Sequence, residues 1–540
     1  MFRYLYLLGL VLPLAQSHPS KKGHGKRSLQ WGSCGDLVRE ILGPNTTVPY
    51  KLDCATLAVP LDYTRKTSPK LKLSLVRLNA TATPVIGNAL VNPGGPGGSG
   101  VEFVVGSGLS LLEVSDQYNY IGFDPRGTRN TIHFSCNATP VAEYLPVANV
   151  NLTETLFETG WDRANLFADR CLETQADTGR FLSTAFVARD MVEILKHLPD
   201  RKLNYFGISY GTFLGETFAS MFPKLVGRFV LDAVVNPEDF RAGPRNSFLG
   251  DTDVVYQGFY DTCVDRPDDC ALTTLVPSPP TAEAIRDKVE NYILSIYNVD
   301  RFIYRDIKLA IRAALYSPDV WTSVASALRL LVSTPFNQTG RIPLGTSGIP
   351  QDADNFWGIG CLDTPWRLSS PEELLPVAQE QQNLSYFADV FADALSWRCA
   401  TWRFDAAEYY TGPFVAKTAT PILFVGGKRD PITPLAGAFN ASSGFERSVV
   451  VTNDAYGHSF TADRSQCTYD AVRRYMVDGV LPEPGLVCKA DKAPFDPTRA
   501  GTGIPEVDEP TRKRAFGKRD VKGALKVLAE VRKGRGILGA

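Results

Sequence analysis

The pentapeptide Gly207-Ile208-Ser209-Tyr210-Gly211 constrains this chain more than any other stretch. It follows the short apolar run Leu203–Phe206 and precedes a segment that carries Phe213, Leu214, Phe218, Met221 and Phe222 at helical spacing. A serine on so sharp a strand-to-helix turn is held with its hydroxyl outward. Glycines on both sides admit neighbouring backbone where a Cβ would clash. The helix then begins with free N–H groups beside the serine, a favourable place for developing negative charge. G-x-S-x-G alone matches many Gly/Ser turns by chance. A strand before it and an amphipathic helix after it make it a nucleophile elbow.

Strands and helices alternate around the elbow. Residues 28–85 hold two alternating apolar runs, Ala55–Pro60 and Leu71–Leu78, that suit a hairpin. Asn88–Val91 reads as a strand feeding the loop Asn92-Pro93-Gly94-Gly95-Pro96-Gly97-Gly98-Ser99-Gly100, and Tyr118–Phe123 as a strand ending in Asp124-Pro125-Arg126-Gly127. Helical periodicity over Val187–Leu198 leads to the elbow strand, and Arg228–Val234 is the next strand. This alternation predicts an α/β fold with a mostly parallel central sheet. Residues 28–240 then form an N-terminal extension and the first part of the core. Across 241–400 strand signals nearly vanish, while Ile285, Val289, Ile293 and Ile296, and Val320, Val324, Leu328 and Leu331, keep helical spacing. Such an insertion predicts a helical cap over the C-terminal edge of the strands, where α/β sheets bind ligands. The core resumes over 401–490, with strands at Pro421–Val425 and Ser448–Val451.

The ends of the chain speak for export. Residues 1–17 read as a signal peptide: Arg3, the apolar run Tyr4–Leu14, then the small-residue site Ala15-Gln16-Ser17. That run is too short for a membrane span. Residues 18–27 end in Lys26-Arg27, like a processing site. Ten cysteines, none in a C-x-x-C pair, and only five histidines argue for five disulfides rather than zinc, with neighbours in sequence paired as the simplest arrangement. Seven sequons, at Asn45, Asn79, Asn137, Asn151, Asn337, Asn383 and Asn440, predict a glycosylated, extracellular protein. A net charge of −1 gives no sign of a nucleic-acid partner in the main body. The segment 491–540 is expected to be a disordered basic tail, its last thirty residues holding ten Lys/Arg against two Asp/Glu.

A serine nucleophile needs a base, and the base needs an orienting acid; around an elbow of this kind they follow in the order Ser, Asp/Glu, His. Asp430 follows a late strand in Gly427-Lys428-Arg429-Asp430-Pro431, and His458 follows the last one in Tyr456-Gly457-His458-Ser459. Asp232 is the runner-up acid. His197 precedes the elbow strand at the wrong sheet edge, and a surface or core role suits His133 better. The Tyr210 N–H is one expected oxyanion donor, and Gly95 of the glycine-rich loop the second. A serine hydrolase is the expectation.

Together, Asn92-Pro-Gly-Gly-Pro-Gly-Gly-Ser-Gly100, Phe123-Asp-Pro-Arg-Gly127, Gly207-Ile-Ser-Tyr-Gly-Thr212 and the surroundings of Asp430 and His458 resemble the secreted tripeptidyl aminopeptidase-like branch of the proline iminopeptidase family. The resemblance covers roughly residues 40–490. It implies an α/β-hydrolase core, a helical cap, no cofactor, and release of residues from free peptide N-termini. Carried across, it makes Ser209 the nucleophile, Asp430 the acid and His458 the base. Pro93 stands where the iminopeptidase side of the family has His, which weakens strict single-proline release. An aminopeptidase must hold an ammonium, so a carboxylate belongs under the cap; Asp363 is the candidate, with Asp352 and Asp354 behind it. A secreted carboxylesterase with the same three residues is the alternative, and a non-catalytic binding protein the third reading.

Overall fold

The computed structural model describes residues 28–129, 131–137, 150–334, 354–499 and 521–533. The expected leader and processing site, and Asp352, lie outside them.

Among the described residues ten strands build one sheet: β1 (Gly32–Ser33), β2 (Leu52–Pro60), β3 (Lys70–Leu78), β4 (Gly87–Asn92), β5 (Tyr118–Phe123), β6 (Leu203–Ile208), β7 (Val226–Asp232), β8 (Leu423–Arg429), β9 (Val449–Tyr456) and β10 (Val487–Lys489). Their order is β1-β2-β3-β5-β4-β6-β7-β8-β9-β10. The pairs β1/β2, β2/β3 and β3/β5 are antiparallel, and every other pair is parallel. Side-chain alternation divides the central strands between two cores. Ala89, Val91, Tyr118, Tyr120, Phe206 and Ile208 face one, with helices Gly100–Gly106 and Gln466–Asp478. Leu90, Ile121, Phe123, Leu203 and Tyr205 face the other, with helices Thr184–Lys196, Tyr210–Met221 and Leu435–Ser443. Burial on both faces is why these strands read as nearly continuous apolar runs. From β4 the chain passes to β5 on one side, then crosses back to β6 on the other. The loops after β4 and β6 therefore meet at the C-terminal edge, the switch point of an open α/β sheet.

Helix Gly100–Gly106 lies so close to β5 that a Cβ on Gly122 would fall 1.9 Å from the Gly100 carbonyl oxygen and 2.8 Å from Val104 Cγ2. Backbone cannot rotate away as a side chain would. Gly122→Ala is expected to destabilise the protein by about 3 kcal/mol or more, read as a fall in the urea midpoint at unchanged slope. A change below about 0.5 kcal/mol, the range of a neutral surface substitution, would contradict this packing.

Between β7 and β8 the described residues form no named strand, and their helices pack as two groups. Thr252–Asp265, Ala282–Tyr297, Arg301–Ala314 and Trp321–Val332 share a core of their own, in which Ile285, Val289, Ile293, Val324, Leu328 and Leu331 are buried. The later helices, through Trp357, Leu374 and Trp397, join the core on the sheet.

One expectation needs correction. Val521–Lys533, within the segment read as a disordered tail, is a helix. Its Leu525, Leu528 and Val531 are buried in the insertion's core, against Arg301–Ala314 and Trp321–Val332. The basic count of the tail concealed an apolar stripe at spacing i, i+3, i+6.

The cysteines pair with their sequence neighbours: Cys34–Cys54, Cys136–Cys171, Cys263–Cys270, Cys361–Cys399 and Cys467–Cys488. Five disulfides belong to an oxidising compartment. Among the described residues no helix is long and apolar enough to cross a membrane.

Candidate active site

Ser209 stands between β6 and the helix Tyr210–Met221 with φ 58° and ψ −129°, a conformation that non-glycine residues avoid and that costs about 1–3 kcal/mol. The surroundings impose it. The Ser209 N–H donates to the Asp232 carbonyl at 3.0 Å, and the Ser209 carbonyl accepts the Thr212 N–H at 2.8 Å and its hydroxyl at 2.7 Å. A Cβ on Gly207 would lie 2.4 Å from the Gly211 oxygen, and one on Gly211 would lie 2.5 Å from the Asn92 oxygen. The two flanking glycines are thus required by close backbone approach.

The glycine-rich loop after β4 presses on this elbow. Gly94 has φ +103°, and a Cβ there would fall 2.7 Å from Ser209 Cβ and 3.1 Å from the Tyr210 nitrogen. Asn92 Oδ1 accepts the Gly94 N–H at 2.9 Å, and the Gly98 N–H closes on the Gly94 carbonyl at 3.0 Å. Neither the Gly95 N–H nor the Tyr210 N–H has an acceptor among the described residues. The far end of the loop is fastened by Ser99, whose hydroxyl donates to Asp124 at 2.5 Å; burial pushes that carboxyl up to about 6. Asn355 Nδ2 donates to the Gly97 carbonyl at 3.1 Å, so the helix Asp354–Gly360 braces the loop as well. Arg126 of the Asp-Pro-Arg-Gly motif is fully buried, paired with Asp190 at 2.6 Å and donating to the Pro60 and Leu61 carbonyls. That motif is a scaffold beneath the loop.

Asp430 and His458 stand at the same edge, after β8 and β9. Asp430 Oδ1 accepts the N–H groups of Ile432 and Thr433, both at 2.9 Å, and Oδ2 accepts the Thr433 hydroxyl at 2.8 Å. Both oxygens face His458 Nδ1, at 3.0 and 2.8 Å. The His458 N–H donates to the Tyr316 carbonyl at 2.9 Å, and the Tyr316 ring meets the imidazole edge-on at 5.1 Å between centroids. Nε2 is buried and has no hydrogen-bond partner. An imidazole fixed in this way carries its proton on Nδ1 and can accept another at Nε2.

Asp232 joins the two halves. Its carbonyl holds the Ser209 N–H, while its carboxylate accepts the Ser459 hydroxyl at 2.5 Å and the Phe460 N–H at 3.3 Å. Burial pushes this carboxyl up to about 7. The runner-up acid thus braces the histidine loop, and its hydrogen bonds go to that loop rather than to the imidazole. Its sequence signal, an Asp ending the strand after the elbow helix, was visible; this bracing role was not. His133 is exposed, and the His197 ring is bonded to the Glu193 carbonyl at 2.9 Å.

Asp363 lies deeper than an ammonium anchor should. It is buried, with Oδ1 accepting the Thr184 N–H at 2.8 Å and Oδ2 the Thr184 hydroxyl at 2.6 Å; burial pushes it up to about 7. Asp354 accepts the Cys136 N–H at 2.7 Å. A different carboxylate, missed in the sequence because it precedes an ordinary helix start, adjoins the turn that carries Asp430. Asp251 is partly exposed and caps nothing with its side chain, and its neighbour Thr252 donates to the Pro431 carbonyl at 2.7 Å. Burial, and then the charge of Asp430, raise its pKa.

Residues 90–261 match the family model described as alpha/beta hydrolase fold, and residues 384–488 match the one described as TAP-like protein. The chain has the alpha/beta hydrolase fold. Similar relatives include the tripeptidyl aminopeptidase of Streptomyces lividans, 26% identical over 477 residues, which span 83% of this chain and 85% of that one. The serine protease Hip1 of Mycobacterium tuberculosis (strain ATCC 25618 / H37Rv) is 26% identical over 491 residues, 85% of this chain and 91% of that one. Carboxylesterase B of the same strain is 26% identical over 490 residues, 85% and 89% of the two chains. Both matched regions of this hydrolase contain elements of the site just described: the glycine-rich loop and elbow in the first, Asp430 and His458 in the second.

Proposed function

We propose that this hydrolase is a secreted serine exopeptidase that removes residues or short peptides from free N-termini through an acyl-enzyme on Ser209. The observation that carries the reading is His458, held at Nδ1 by Asp430 and open at Nε2, at the sheet edge where strained Ser209 stands. His458 takes the Ser209 proton as the hydroxyl attacks the peptide carbonyl, and returns it to the leaving amine; Asp430 stabilises the imidazolium formed in between. The Gly95 and Tyr210 N–H groups receive the oxyanion. Water then repeats the cycle on the acyl-enzyme. The relatives named as peptidases support peptides as substrates, and the five disulfides support secretion.

The ammonium of the substrate falls to Asp251 rather than to Asp363, whose oxygens are both engaged by Thr184. Asp251→Asn is expected to raise KM for free-amine peptides about 10-fold or more and to leave ester hydrolysis unchanged. Equal KM values for the two proteins would remove it from the role.

The deciding experiment compares peptide-anilides with free and N-acylated termini against a short-chain p-nitrophenyl ester, with Ser209→Ala as control. Cleavage confined to the free-amine peptides, and lost in the variant, is the expected result. Ester hydrolysis without peptide cleavage would replace the reading with a carboxylesterase, the alternative that the relative named carboxylesterase B favours.

A further inference from the structure

Two buried cations among the described residues have carboxylate partners. Arg126 has Asp190, and Lys308 has Asp389 at 2.7 Å together with the Tyr304 hydroxyl and the Tyr386 carbonyl. One helical turn beyond Lys308, Arg312 breaks the pattern. Its side chain is fully buried, and none of its three guanidinium nitrogens has an acceptor in hydrogen-bonding geometry. Burial lowers its pKa, and only the neighbouring Tyr316 side chain works against that; the guanidinium lies over the Phe391 ring at 3.4 Å and stands 5.9 Å from the Tyr316 ring. A cation–π contact offsets only part of what burying an unpaired charge costs. Arginine does not escape by losing its proton. An anion would satisfy such a group.

The place of Arg312 indicates whose anion. Tyr316 lies between it and His458, touching the imidazole with its ring and holding the His458 N–H with its carbonyl. Arg312 and Nε2 are two buried polar groups without hydrogen-bond partners on either side of one tyrosine. Tyr316 and Phe391 are both partly exposed, and His458, Tyr316, Arg312 and Phe391 follow one another in contact. The ring-to-ring and ring-to-guanidinium spacings, 5.1 and 5.9 Å, put Arg312 no more than about 11 Å from the imidazole. An extended peptide rises about 3.3–3.6 Å per residue, so that span corresponds to two or three residues.

We propose that Arg312 binds a carboxylate of the peptide substrate, two or three residues from the bond that Ser209 attacks. The assignment rests on the peptidase reading of the site. The planar fork of donors suits a bidentate carboxylate, which either a peptide's C-terminus or an Asp or Glu side chain supplies.

Three probes separate these sources: tetra-alanine acid, tetra-alanine amide, and amidated hexa-alanine carrying one Glu at each position in turn, with cuts located by mass spectrometry. The wild-type enzyme should show a KM about 10- to 100-fold lower for a carboxylate set two or three residues from the cut. Preference for the acid over the amide assigns the C-terminus, and preference for one Glu position assigns a side chain. In Arg312→Met, which keeps an apolar chain against Phe391, the ratio should collapse towards one, and Arg312→Lys should restore part of it. Thermal unfolding confirms that each variant is folded; should Arg312→Met fail to fold, the Lys variant decides alone. Calorimetric binding of the same probes to full-length Ser209→Ala makes the test independent of turnover. Cleavage without any carboxylate preference, or a preference that survives Arg312→Met, overturns the assignment. Binding preference in Ser209→Ala without peptide cleavage by wild type would overturn the peptidase reading and leave the carboxylate site standing.

Discussion

Ser209→Ala is expected to lower kcat by about 10⁵- to 10⁶-fold, leaving only what oxyanion donors and binding supply. KM should change little, because the hydroxyl contributes to the reacting bond rather than to holding the substrate. The backbone makes a second, opposite prediction at the same position. At φ 58°, ψ −129° the Cβ is strained, and Ala retains that strain whereas Gly releases it. Ser209→Gly should therefore be as inactive as Ser209→Ala yet more stable by about 1 kcal/mol, after allowing for the greater freedom of glycine in the unfolded chain. Equal midpoints in urea for the two variants would mean that the elbow is not strained. Residual activity above about one part in 10³ would mean that another group carries the reaction.

Asp430→Asn is expected to cost about 10⁴-fold in kcat while leaving the fold intact. The amide oxygen can still accept the N–H groups of Ile432 and Thr433, which both bind Oδ1. The amide nitrogen then takes the place of Oδ2 and donates to His458 Nδ1, which drives the imidazole proton to Nε2, where the base must be bare. The loss is one of tautomer, not of structure, so the thermal midpoint should hardly move. Asp232 supplies the contrast. Its carboxylate is bonded to Ser459 and Phe460, so it cannot turn to the ring without releasing the loop that carries His458. If Asp430→Asn kept a tenth of the wild-type rate and Asp232→Asn lost nearly all of it, the two acids would exchange roles.

These predictions rest on features that differ in how visible they were beforehand. The elbow, the glycine-rich loop and the order Ser209, Asp430, His458 could be located because each is a local pattern. A strand is a short apolar run, a tight turn shows as glycine, and the polar residue after the turn is the one that faces the sheet edge. Pairing of neighbouring cysteines was the simplest guess for the same local reason. What the sequence could not carry was the partner of each buried charge. Asp363 is the sequence's candidate for the substrate ammonium, but Thr184, distant in the chain, bonds both of its oxygens. Asp251 stands at an ordinary helix start in the sequence, and only the fold ties that start to the turn after Asp430, through Thr252 and Pro431. The tail's positive charge masked the stripe of Leu525, Leu528 and Val531, because composition counts charges whereas packing depends on which face they leave free. Arg312 is the extreme case, one helical arginine in a chain with many, singled out only by what surrounds it.

The sequence alone located the central strands, the elbow and the two turns that carry Asp430 and His458, because hydrophobic periodicity and backbone sterics act over a few residues. It did not show β1, β10 or the helix Val521–Lys533. Only the tertiary structure decided which carboxylates and cations are satisfied, since burial and hydrogen bonding are set by residues far apart in the chain.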